Sequence, residues 1–219
     1  MLEPLYIFGA GQTAAAIHAM ISDERLFDVV GFCLDRTHII ESTFEGRPII
    51  PIEDADRSVA QFIAIGFNDL NHDRRVVFER LKQSGHRFAT VISRKAVVRS
   101  DCRLGENCLV MEFNNIQAGV GIGDNTYLWS GNHVGHHSAI GAHCYVSSHC
   151  VISGAVSIGD HTFMGVNSTV GDNITIGAGC IVGQGAVVAA NLPDFAVVRS
   201  PEPRVDLRSA NFNRRLLRR

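Results

Sequence analysis

The sequence predicts two architectures in one chain: an α/β, Rossmann-like N-terminal domain, then an all-β parallel β-helix. Two observations carry this. From Val98 onward an aliphatic residue or Met recurs at every sixth position: Val98, Leu104, Val110, Ile116, Ile122, Leu128, Val134, Ile140, Val146, Ile152, Ile158, Met164, Val170, Ile176, Val182 and Val188. Before that point, apolar runs of strand length alternate with a glycine turn and with helical periodicity, which is the texture of βαβ units.

The chain has 219 residues, 46% hydrophobic and 19% charged, enough for two domains with their own cores. Its formal charge of −2 comes from intermingled acids and bases, a pattern that argues against nucleic acid or anionic lipid as partner. The opening MLEPLYIFGAG has no basic segment and its apolar run is cut by glycines. No stretch reaches the roughly 20 apolar residues that span a bilayer. The expectation is a cytoplasmic protein with small-molecule partners and no membrane contact.

Residues 1–93 form the expected βαβ domain. PLYIFGAG reads as strand and glycine turn, QTAAAIHAMI as helix, and VVGFCLD as the second strand. QFIAIG is a third strand, and NDLNHDRRVVFERLKQSG a second helix, capped by Asp69 or Asn71 and ended by Gly85. FATVIS supplies the domain's last strand. Gly9 and Gly11 allow a tight turn and the close backbone approach that a phosphate requires. Asp35, at the end of the second strand, stands where ribose hydroxyls are bound in dinucleotide folds. GAGQTA lacks the third glycine of a complete fingerprint, and no second domain would support redox chemistry.

Residues 94–193 carry the repeat. A six-residue period on three sides gives an 18-residue coil whose aliphatic residue stacks inward on its equivalent in the next coil. The fifth position of each hexapeptide also faces inward at a tight corner, and Cys102, Cys108, Cys144, Cys150 and Cys180 all fall there. They read as small buried hydrophobes, as does Cys33 in the second strand. Residues 194–219 leave the period and read as an exit segment, with Pro201, Pro203 and a solvated NRRLLRR tail.

Six of the ten histidines lie between positions 133 and 161. His137, His143, His149 and His161 occupy fourth positions, where corners face solvent. His136 alone occupies a third position, and His133 ends the preceding hexapeptide.

YIFGAG, GFCLD, AIGFNDLNHDRR, GHHSAIG, VSSHCVISGAVSIGDHTFMGVNSTV and GAGCIVGQGAVV together resemble the NeuD/PglD-like sugar acyltransferases of the left-handed β-helix, hexapeptide-repeat superfamily. The resemblance implies a homotrimer, with acetyl-CoA as acyl donor in the groove between neighbouring β-helices. It implies a sugar or nucleotide-sugar acceptor on the N-terminal domain, acylated on an amino or hydroxyl group. His136 matches the family's catalytic base; the acidic residue that follows it in the family is His137 here. Ser147, Gly154 and Val166 are expected at the thioester, with Gly154 N–H as an oxyanion donor and Gly183 further along the groove. Gly9, Gly11 and Asp35 would hold the acceptor. VVRSPEPR stands where relatives carry Gly-x-Pro-Ala-Lys. No metal is expected. The alternative is a β-helix metalloenzyme of the carbonic anhydrase type, whose two histidine ligands lie five residues apart. No pair among the six histidines has that spacing, although His143 and His161 stack one coil apart.

Overall fold

A computed structural model describes residues 2–200 and Glu202; the other tail residues, including Pro201, Pro203 and NRRLLRR, lie outside the described residues. The first domain contains β1 (Pro4–Phe8), α1 (Gln12–Glu24), β2 (Asp28–Leu34), β3 (Thr43–Phe44), β4 (Arg47–Pro51), β5 (Ala60–Ile63) and α2 (His72–Gln83). Its sheet runs β3-β4-β2-β1-β5, parallel except for β3. Strand alternation sorts the core: Leu5 and Ile7 face α1 through Ala14, Ile17 and Ile21, while Phe8 and Ile63 face Phe78 and Leu81 of α2. Helix α2 starts after Asn71 and ends at Gly85 (φ +81), where Gly85 and His86 donate N–H groups to the carbonyls of Lys82 and Leu81. The β3–β4 hairpin turns through Glu45 and Gly46, both at positive φ, and carries no hydrophobic pattern that would announce it.

The last strand expected in this domain belongs elsewhere. Phe88 makes a single bridge to Gln61, and Val91–Ile92 pairs with Leu109–Val110 of the β-helix. Ile92 is 18 residues before Val110, so it already sits in the coil register. The ladder therefore begins at Val91, and it continues to Val197–Val198, paired with Ile181–Val182. Its last coil is two residues short, since Ile176 bridges Leu192 and Val182 meets Val198. That deletion hides the final strand from a six-residue count.

Three parallel sheets make the faces of the left-handed β-helix. Face 1 carries Val98, Ile116, Val134, Ile152, Val170 and Val188; face 2 carries Leu104, Ile122, Ile140, Ile158 and Ile176; face 3 runs from Ile92 through Val110, Leu128, Val146, Met164 and Val182 to Val198. Apart from Ile92, which is exposed at the open end, these side chains form one continuous core. Cys108, Cys144, Cys150 and Cys180 are fully buried beside it, and Cys102 partly so. Their thiols donate to corner carbonyls, as Cys150 Sγ does to Gly165 at 3.2 Å. Burial pushes the Cys144 thiol up to about 12, which leaves it unreactive. The fourth positions are left-handed along most of the ladder: Asn125, His137, His143, His149, His161, Asn167 and Asn173 have φ of 57 to 60°. Asn is among the residues that tolerate this conformation best, and His takes it here at four corners.

The N-terminal domain is docked on face 3. Phe62 stacks on Tyr127, and Phe67 meets Tyr145 and Phe163. Arg74 of α2 is fully buried between the two domains. Its guanidinium lies 4.2 Å from the Tyr127 ring centroid and donates to the carbonyls of Ile65, Gly66, Asn125, His143 and Cys144. Among the described residues no carboxylate pairs with it; five backbone oxygens and an aromatic face do the work of a counterion. Lys82 bridges Glu106 and Asp124 at 2.7 and 2.9 Å along the same edge.

Candidate active site

His136 stands on the corner between faces 1 and 2, exposed, with its ring leaning up against Gly154 of the next coil. A Cβ on Gly154 would come within 2.7 and 2.8 Å of the His136 Cε1 and Nε2, so only glycine leaves the ring its place. The His136 N–H is held by Gln117 Oε1 at 3.0 Å. His136 Nδ1 lies 3.1 Å from His137 Nδ1, so one of the two carries the proton. If His136 Nδ1–H donates, its Nε2 keeps a bare lone pair over Gly154. His137 itself leans over Gly119, where a Cβ would meet its Cδ2 at 3.1 Å.

Gly154 differs from expectation in one respect. Its N–H is already bonded to Asp172 Oδ1 at 2.9 Å and is not free for an oxyanion. The reason lies in the repeat: a third-position carboxylate reaches down one coil, as Asp160 does to Ala142 N–H and Asp124 to Glu106 N–H.

His143 also departs from expectation. It is 9% exposed rather than a solvent-facing corner. Asn125 Nδ2 contacts its Nδ1 at 2.9 Å, His161 stacks on it at 4.9 Å, and Phe78 of α2 covers its edge. Burial first, then the neighbouring His161 and Arg74, pushes its pKa down to about 4. The docked domain covers this corner, which the hexapeptide register alone does not reveal. His161 is half-buried on the same column, and its pKa is lowered chiefly by burial.

Ser147, Val166 and Gly183 lie on the corner between faces 3 and 1. Ser147 is buried, Val166 is 43% exposed, and a Cβ on Gly183 would meet Ser200 N at 2.7 Å. In one chain they are thus separated from His136 and Gly154 by the width of face 1. Gly9, Gly11 and Asp35 lie in the domain docked on face 3, away from the His136 corner. Gly9 has φ +120 and packs against the Ala64 carbonyl, whereas a side chain at Gly11 would meet open space. Asp35 pairs with Arg80 at 2.7 Å. Beside this turn opens a cleft of about 320 Å³ lined by Ala10, Leu34, His38, Glu41, Phe44 and Ile49. His38 and Glu41 belong to the β2–β3 connection and Phe44 to the two-residue β3, a stretch without sequence periodicity, so pattern reading missed them. Asp172 was missed too, although its place 36 residues after His136 marks it as the same column two coils on. Among the described residues no three His, Cys, Asp or Glu side chains converge as metal ligands, and no helix is long and apolar enough to cross a membrane.

Residues 119–154 match the family described as bacterial transferase hexapeptide (six repeats). No curated protein sequence matches the chain. Among solved structures, it is similar to a histidine-to-asparagine variant of perosamine N-acetyltransferase from Caulobacter crescentus in complex with CoA and GDP-perosamine. The identity is 27%, coverage 91% of this chain and 94% of that one, and the TM-score 0.80. The acetyltransferase domain of PglB from Neisseria gonorrhoeae, in complex with acetyl coenzyme A, shares the fold at 21% identity, covering 91% and 97%, with a TM-score of 0.81. WeeI from Acinetobacter baumannii shares it at 21% identity, covering 90% and 96%, with a TM-score of 0.74. By architecture and by its hexapeptide segment, the chain is similar to the hexapeptide-repeat sugar acetyltransferases over nine-tenths of its length.

Proposed function

We propose that this chain transfers an acetyl group from acetyl-CoA to an amino or hydroxyl group of a nucleotide sugar, acting in the cytoplasm as a homotrimer. The observation that carries the reading is His136: an exposed imidazole oriented by His137, on a corner whose backbone N–H is held by Gln117, in a chain similar over nearly its full length to an enzyme solved with CoA and GDP-perosamine. The acceptor N–H or O–H donates to His136 Nε2. As its heteroatom attacks the thioester carbonyl, the proton passes to the imidazole. The tetrahedral oxyanion collapses and the C–S bond breaks. The imidazolium returns the proton to the departing thiolate, so no covalent enzyme intermediate is needed.

The separation of the parts supports an assembly of several copies, here taken as a homotrimer. The base column, the donor residues Ser147, Val166 and Gly183, and the acceptor domain occupy different sides of one prism. Face 1, between the first two, exposes Val97, Val151 and Val187. Packing of copies through this surface would set the base of one chain against the donor corner of another. The cleft beside Gly9, with Glu41 as a hydroxyl acceptor and Phe44 as an apolar wall, suits the nucleotide. Acetyl-CoA incubated with a panel of amino-sugar nucleotides should release free thiol at a rate that saturates in both substrates. Absence of saturable acetyl-CoA binding would remove the reading.

A further inference from the structure

His136, Gly154 and Asp172 occupy the same third position in three successive coils, at i, i+18 and i+36. Coils stack at roughly 4.8 Å, so side chains two coils apart would ordinarily be separated by the residue between them. Here that residue has no side chain. The His136 ring leans up from below, with Cε1 and Nε2 at 2.7 and 2.8 Å from where a Gly154 Cβ would stand, and Asp172 Oδ1 reaches within 3.3 Å of the same point from above. Nε2 and Oδ1 are therefore at most about 6 Å apart across the notch. The Gly154 N–H anchors the carboxylate at 2.9 Å.

We propose that Asp172 is the acidic positioning residue for His136, acting across the Gly154 notch in place of the acid missing at position 137. Its charge stabilises the imidazolium that His136 becomes when it takes the acceptor proton; Asp172 itself gains no proton. Among the described residues, the ionisable neighbours of His136 at the third and fourth positions of this column are His137, at 3.1 Å from His136 Nδ1, Asp172, and Asp101, which binds the Gly119 N–H beneath His137. Asp172 brings its negative charge to the Nε2 side. A second protonated imidazole at His137 would oppose protonation of His136, so the carboxylate also offsets that repulsion.

The inference rests on the proposed reaction for its purpose, but its physical core is testable without substrate. Asp172→Asn removes the charge and keeps an oxygen for the Gly154 N–H, as Asn191 does for Thr175 N–H. In the full chain, the His136 imidazole titration followed by NMR should move to lower pH by about 0.5–1 unit in Asp172→Asn, with His137 moving less. Asp172→Ser is a second charge-removing variant should the first fold poorly. With an active acceptor, the acid limb of kcat/KM should move down by the same interval, a change that a purely structural role would not produce. An unchanged His136 titration in either folded variant overturns the proposal. Absence of any thiol release by the wild type would overturn the acetyltransferase reading and leave the titration to decide this one.

Discussion

Two corners of the β-helix present histidines on the same backbone and place them in opposite environments. At the corner between faces 1 and 2, His137 has φ +58, and the pair His136–His137 is exposed. At the corner between faces 2 and 3, His143 has φ +59 and is buried beneath α2. The first corner has neighbours that orient a ring and leave one nitrogen open. The second is sealed by Arg74, Phe78 and an Asn107–Asn125–His143 ladder that knits the docked domain to the coil. The hexapeptide register specifies the left-handed turn and hence the residue types that tolerate it. What covers the corner decides whether the histidine is sealed into the fold or left open to solvent.

The contrast is broken most severely at Arg74. Arg74→Met should cost about 3–5 kcal/mol, because it strands backbone carbonyls that the guanidinium satisfies and removes the stacking on Tyr127. Calorimetry should then show the N-terminal domain melting ahead of the β-helix. A single transition at the wild-type temperature would mean the clamp is redundant.

Acid should act on the buried corner next. His143 is held neutral, with its pKa pushed down to about 4 from an ordinary 6.5. Its contribution is therefore full above pH 6.5 and is lost as pH falls toward 4, by up to about 3 kcal/mol. His143→Asn should extend the asparagine ladder and flatten denaturant-measured stability across that window. Equal acid sensitivity in the variant would assign the effect to another group.

At the open corner the effects are smaller and concern rate. Gly154→Ala would drive a methyl group into the His136 ring, which can swing outward at little cost in stability. The expected result is a fold close to wild type with kcat about 10–100-fold lower, from misplacement of the base. His137→Ala should lower kcat by less than about 10-fold, since His137 only orients the tautomer; a loss equal to that of removing His136 would make His137 the base.

Much of this was legible in the sequence, and the gaps have physical causes. The six-residue period fixed the inward residues, the corner cysteines and the third position of His136, because each depends on local repeat geometry. The ends of the ladder were harder: Val91–Ile92 has no preceding coil, and the two-residue deletion before Val198 breaks the count. Burial of His143 and the pairing of Asp35 with Arg80 depend on how α2 docks, a tertiary event that no periodicity encodes. The Asp172 bond to Gly154 was readable in principle, since the same carboxylate-to-coil contact recurs along the repeat.

The role proposed for His136 is removal of the acceptor proton during acetyl transfer. Thiol release by His136→Ala, measured beside wild type on a verified folded protein with acetyl-CoA saturating, should fall by about 10² to 10⁴-fold while acetyl-CoA binding is retained. Turnover near the wild-type rate in that variant would contradict the account.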